Sequence, residues 1–158
     1  MTDIPVTDAP VPETLLAIDP GRAKCGLAVV TGPAEENAAG GARPPRCLER
    51  AVVPAERLTL AVAEILRRRP EVGRILIGGG TNSATLRRAL EAAFPQLPLL
   101  TVDEFNTSAR ARQRFVLENP APGWRRLLPP GLRSPEVAYD DYAAILLAED
   151  YFAKKTWT

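Results

Sequence analysis

The stretch LLAIDPGRAKCGLAVV, residues 15–30, decides how this chain is read. It holds two apolar runs, 15–19 and 25–31, joined by a tight Pro-Gly-Arg connection. That pattern reads as two short strands of a hairpin, with Gly21 and Gly26 supplying backbone freedom. The first run ends on a carboxylate, Asp19, directly after Ile18. A turn-stabilising role would account for an aspartate before Pro-Gly. The apolar flanks on both sides favour a functional role, because an acid placed there needs a partner other than bulk water.

Working outward, residues 32–46 form a Gly-, Pro- and Ala-rich loop, and 47–53 read as a third strand. Three neighbouring strands joined by loops predict an antiparallel start. The period then changes. Leu58, Val62, Ile65 and Leu66 share one helical face in PAERLTLAVAEILRRR, with Pro54 at its start and Pro70 at its end. GRILIG is an apolar strand, and TNSATLRRALEAAF is a helix with a Ser/Asn start, stopped by Pro95. PLLTVDE is a strand, and NTSARARQRFVLEN is a helix capped by Asn106 or Thr107. A proline-rich segment, 120–136, precedes a closing amphipathic helix, YDDYAAILLAEDYFAKK. The order β-β-β-α-β-α-β-α-α predicts a single α/β domain over residues 13–158. Its five-stranded sheet is mixed, antiparallel at first and then extended by parallel strands, with helices on both faces. The acidic, proline-rich residues 1–12 read as a flexible lead-in, unlike a targeting signal, and the expected location is the cytoplasm.

Composition removes several chemistries. The 158 residues include no histidine, which excludes Ser-His and Cys-His pairs, HExxH sites and histidine acid-base catalysis. No GxxxxGK[ST] motif occurs. The two cysteines, Cys25 and Cys47, are too few for a zinc site of four thiolates and read as small apolar side chains. Carboxylates, lysines, hydroxyls or a hard metal must carry any reaction.

The acids most suited to that task are far apart in sequence. Asp19 ends the first strand and Glu104 the last, while Asp140 and Asp141 begin the closing helix. In open sheets of this kind, sites form outside the carboxyl ends of the strands. Clustered carboxylates repel one another unless a cation neutralises them, and oxygen donors select Mg²⁺ or Mn²⁺. Two such ions suit phosphoryl transfer without histidine. Alternation sets Leu100, Val102 and Glu104 on one face of the last strand and Asp103 on the other, so Asp103 reads as a structural neighbour. Helical spacing groups Asp140 with Ala144, Leu147 and Tyr151, and Asp141 with Ile145, Ala148 and Phe152. Asp140 is the preferred ligand and Asp141 the reserve; both also suit the N-terminal end of a helix dipole.

The net charge of +1 predicts no strong overall attraction to nucleic acid, but its distribution is uneven. Arg110, Arg112, Arg114, Arg125, Arg126 and Arg133 are interrupted by one acid, Glu118, and accompanied by Trp124. Such a stretch suits phosphate and base contacts, although charge runs are often only solvated faces. Arg67-Arg68-Arg69 is a second cluster. Arg22 and Lys24 flank Asp19 and suit a phosphate. IGGGTNS, residues 77–83, offers a helix start to a phosphate, a weak signal by itself.

These residues resemble a known family. LAIDPGRAKCGLAVV resembles the first-strand motif of RuvC-like Holliday-junction resolvases and their YqgF (RuvX) relatives, which have the RNase H fold. TVDEFNTSARAR resembles the YqgF segment with Asp-Glu at the end of the fifth strand, and YDDYAAILLAEDYF resembles the family's closing helix. The three matches occur in the family's order over residues 15–152. The YqgF branch fits better than RuvC itself, whose glutamate lies at the end of the fourth strand, where this chain has IGGG. The resemblance implies a Mg²⁺- or Mn²⁺-dependent nuclease with Asp19, Glu104 and Asp140 as catalytic metal ligands. It implies a nucleic-acid partner, either a precursor of small-subunit (16S) ribosomal RNA or branched DNA, no membrane partner, and leaves a homodimer open. Two departures stand out: the family's Asp-Glu-Arg reads Asp103-Glu104-Phe105, and the segments 32–46 and 120–136 are long. An actin-like ATPase needs two such lobes, and the chain has length for one. A non-catalytic nucleic-acid-binding module with vestigial acids is the remaining alternative.

Overall fold

In the computed structural model, residues 12–32, 44–80, 82–102 and 140–155 are described, together with 110, 113, 114, 117 and 118. Residues 1–11 of the predicted lead-in, most of the long loop before β3, and the proline-rich segment lie outside the described residues. So do Asp103, Glu104, Arg112, Arg125 and Arg126.

Five strands form one sheet in the order β3-β2-β1-β4-β5. They are β1 (Thr14–Asp19), β2 (Lys24–Thr31), β3 (Arg46–Pro54), β4 (Val72–Gly78) and β5 (Leu99–Val102). The hairpin β1–β2 is antiparallel and pairs Asp19 with Gly26. β3 continues the antiparallel half on the far side of β2, whereas β4 and β5 add in parallel to β1. The expected mixed sheet is therefore present. Gly21 is required in the hairpin turn, because a Cβ there would land on the Lys24 carbonyl oxygen.

Among the described residues, the sheet is covered by α1 (Leu58–Arg68), α2 (Ser83–Ala93) and α3 (Asp140–Lys155). The helix expected from Pro54 onward instead begins with a 3-10 turn, Ala55–Arg57. There the Ala55 N–H donates to the Ala23 carbonyl at 2.9 Å, tying this corner to the hairpin. α2 starts at Ser83 with Asn82 at the N-cap position, the Ser/Asn start expected, although Asn82 makes no side-chain capping bond. Arg110, Gln113, Arg114, Leu117 and Glu118 have helical backbone, as expected of the segment 106–119.

Strand alternation sorts the core into two halves. Leu16, Ile18, Leu27, Val29, Ile75 and Ile77 face Leu58, Val62 and Ile65 of α1 and Leu90 of α2. Leu15, Ala17, Ala28, Val30 and Leu76 face Ala144, Ile145, Leu147, Ala148 and Phe152 of α3. β1 and β2 are buried on both faces, which is why they read as near-continuous apolar runs. Cys25 is buried in the first half, as expected; Cys47 is exposed, because β3 is an edge strand. Among the described residues no helix is long and apolar enough to cross a membrane.

Candidate active site

The parallel half of the sheet sends the carboxyl ends of β1, β4 and β5 to one edge. Asp19 is the last residue of β1, half-buried after a run of five buried residues. By alternation with Leu15 and Ala17 it belongs to the face that α3 covers. At the neighbouring strand end, Gly78 pairs with Val102, and the Gly79 N–H donates to the Val102 carbonyl at 3.0 Å. A Cβ on Gly80 would come within 3.1 Å of the Pro20 carbonyl oxygen, so the chain leaving β4 packs against the residue after Asp19. Glycines at 79 and 80 thus bind the ends of β1 and β5 together. Asp103 and Glu104 follow Val102 immediately in sequence.

α3 runs back along β1 in the opposite direction. Its last turns lie at the start of the sheet, where the Arg74 guanidinium donates to the Tyr151 hydroxyl at 2.6 Å and that hydroxyl donates to Glu13 at 3.4 Å. Phe152 sits against Gly32, whose N–H donates to the Glu13 carbonyl. The first turn of α3 is consequently at the other end, toward Asp19. Tyr151, which shares helical spacing with Ala144 and Leu147, lies against Arg74 of β4, and Phe152, which shares it with Ile145 and Ala148, lies against Gly32 after β2.

Asp141 is engaged on the β2–β3 side. Its Oδ2 lies 3.6 Å from Arg50 Nε, and its Oδ1 accepts the Tyr142 N–H at 3.0 Å. Arg50 in turn stacks over the Tyr142 ring at 4.6 Å. Arg50 and Tyr142 are absent from the residues that sequence reasoning singles out. The one available signal was the period of two in β3, which sets Glu49, Ala51 and Val53 apart from Arg50 and Val52.

Of the three preferred metal ligands, Asp19 alone has a described side chain; the Asp140 backbone opens α3, and Glu104 lies outside the described residues. Among the described residues no three metal-ligating side chains come together. The donor set is all carboxylate, and its one described member stands at the half-buried end of a buried strand. That chemistry fits a hard divalent cation.

The described basic residues predicted to meet nucleic acid divide into two groups. Arg22 and Lys24 are exposed on the hairpin turn beside Asp19 and have no carboxylate partner among the described residues. Arg110 instead grips Asp150 of α3, at 2.9 and 3.3 Å. Arg114 bridges Glu118 at 3.0 Å and Glu149 at 2.9 Å. The Arg114 hydrogen bond, seconded by Tyr142, holds the Glu118 carboxyl below its ordinary range. Arg68 and Arg69 of the second basic cluster clamp Glu49 on β3, with Arg68 closest.

Neither a protein-family model nor a curated protein matches the sequence. Solved structures do match the coordinates. RuvC from Thermus thermophilus superposes with a TM-score of 0.52 at 18% identity, covering 90% of this chain and 96% of that one. The Fowlpox virus resolvase in complex with substrate Holliday junction DNA gives 0.54 at 9% identity, covering 90% and 98%. The Fowlpox virus Holliday junction resolvase on its own gives 0.53 at 10% identity, covering 90% and 99%. At these identities it is the arrangement of strands and helices that is shared, and by that arrangement the chain has the RNase H-like fold of the RuvC and poxvirus resolvases.

Proposed function

We propose that this chain is a divalent-metal-dependent nuclease of the YqgF type, hydrolysing phosphodiesters in branched or otherwise structured nucleic acid. The observation that carries this reading is the shared strand edge. Asp19 ends β1, Glu104 stands two residues past the end of β5, and α3 opens with Asp140. Val102, the last residue of β5, packs with the α3-side core, the face of Asp19, and the alternation read from the sequence groups Glu104 with Val102. Helical spacing groups Asp140 with Ala144, Leu147 and Tyr151, the last of which lies against Arg74 of β4.

Asp19, Glu104 and Asp140 would hold the metal. When bound, divalent cations supply an activated water and stabilise the leaving oxygen of a phosphodiester. Arg22 and Lys24 hold the flanking phosphates against the hairpin turn. α3 closes the protein side of the site with a packed apolar face and limits water to the open strand edge. Asp141 is already charge-paired with Arg50, which leaves Asp140 the better ligand of the two.

The fold likeness to resolvases favours branched DNA as substrate, while the Asp-Glu segment at the end of β5 favours a ribosomal RNA precursor. The test is a cleavage assay on a four-way DNA junction, a structured precursor RNA and linear duplexes, in Mg²⁺, Mn²⁺ and EDTA. Cleavage of a structured substrate in either metal, abolished by EDTA while circular dichroism is unchanged, is the expected result. Full activity in excess EDTA would overturn the mechanism. Binding without cleavage of any substrate would establish the non-catalytic module instead.

A further inference from the structure

We infer that Arg50 is a positioning residue: from the edge strand β3 it fixes the first turn of α3, so that Asp140 rather than Asp141 is presented to the metal. This rests on the nuclease reading above.

The geometry consists of two contacts from one guanidinium to consecutive residues. Arg50 Nε is 3.6 Å from Asp141 Oδ2, and the guanidinium carbon is 4.6 Å from the centre of the Tyr142 ring. Tyr142 is 2% exposed, so its ring is a fixed surface. Consecutive helical residues are turned by about 100°. A contact to each therefore sets the rotation of the turn, which an ion pair alone would not. Asp141 Oδ1 additionally accepts the Tyr142 N–H, locking its carboxylate on the Arg50 side. Arg50 pairs across the sheet with Ala28, and Ala28 with Ala17, two residues short of Asp19. The brace thus acts close to the strand end that carries the first proposed ligand. With Arg50 half exposed and 3.6 Å from the carboxylate, the ion pair adds little to global stability, so the effect is expected in metal affinity and local order.

The experiment uses the full chain with Arg50→Met, Arg50→Lys, Asp141→Asn and Asp140→Asn. Mn²⁺ binding is followed without nucleic acid, by calorimetry and by the shift in thermal midpoint. In EDTA, hydrogen exchange is read at the amides of Ala144, Ile145 and Leu146, whose helical acceptors are the carbonyls of residues 140–142. Arg50→Met should weaken Mn²⁺ binding about tenfold, the usual scale for a residue supporting a ligand. Excess Mn²⁺ should restore its cleavage, and junction binding in EDTA should be unchanged. Arg50→Lys keeps the charge but loses the planar stack, and should fall between. Asp141→Asn should match Arg50→Met, with the double variant no worse than either. Asp140→Asn should lose the Mn²⁺ response altogether.

An unchanged Mn²⁺ affinity in Arg50→Met would overturn the inference, as would an Asp141→Asn variant that loses the response as fully as Asp140→Asn. A parent protein with no Mn²⁺ response would overturn the nuclease reading. The exchange measurement separates the two failures: faster exchange in Arg50→Met supports the brace, and unchanged protection overturns it.

Discussion

The two faces of the sheet are built from different materials. On the α1–α2 face, large aliphatics meet large aliphatics: Leu16, Ile18, Leu27 and Ile77 against Leu58, Val62 and Ile65. On the α3 face alanines, Ala17 and Ala28 of the sheet and Ala144 and Ala148 of the helix, share the core with larger residues, and both ends are polar. Arg50 and Asp141 mark one end, and Glu13, Arg74 and Tyr151 the other. The first face is suited to burying area, the main source of folding free energy. The second brings a helix close to the sheet and sets its direction by charged contacts at each end. Position matters more there than bulk, as expected of the face that carries Asp19.

The largest effect should come from breaking the polar edge of the α3 face. Asp19→Asn should lower cleavage at least about 100-fold, the scale on which a single charge-stabilising group acts. It removes one charge from the proposed carboxylate set while nearly keeping its shape, so its thermal midpoint in EDTA should equal or exceed that of the parent. Normal cleavage, or unfolding without metal, would return Asp19 to a turn-stabilising role.

Substitutions in the two cores should then differ in kind. Leu16→Ala on the α1–α2 face should cost about 2–5 kcal/mol in denaturant unfolding, with cleavage per folded molecule unchanged. Ala148→Leu on the α3 face overpacks an alanine contact and should cost about 1–3 kcal/mol, but cleavage per folded molecule should fall as well, because the helix that opens with Asp140 must shift. Equal activities in the two variants would remove the functional distinction between the faces.

The smallest effect belongs to the surface clamp on β3. Hydrogen bonding from Arg68, with Arg69 assisting, holds the Glu49 carboxyl below its ordinary value of 4.5. A depressed carboxylate pKa stabilises the fold above the unfolded value, and that stability is lost as pH falls through the folded one. The parent should therefore exceed Glu49→Gln at pH 7 by less than about 1 kcal/mol, and the gap should close below pH 4.5. A gap that widens in acid would reverse the assignment.

The sheet was legible because its signals are local. β1 and β2 announce themselves as apolar runs around a Pro-Gly turn, and α1 by a helical period. Asp19 stood out for the same reason, as a carboxylate where the local pattern called for burial. The strand directions also followed, antiparallel for the first three and parallel for those added through helical crossovers, but the placement of β4 beside β1 rather than β3 came only with the fold.

What the sequence could not state was the partner of each charge. Arg110, Arg114, Arg68 and Arg69 read as open cations along the chain, yet each meets an acid from elsewhere: Asp150, Glu149 and Glu49. Helical spacing ranked Asp140 above Asp141, but the Arg50 that the fold sets opposite Asp141 was equally hidden. Arg50 is separated from Asp141 by most of the chain, and only the register of β3 on β2, with α3 laid across them, brings the two within 3.6 Å. Local patterning fixes which residues are buried and in which element. Long-range charge pairing depends on distances that exist only once the sheet and its helices have closed on one another.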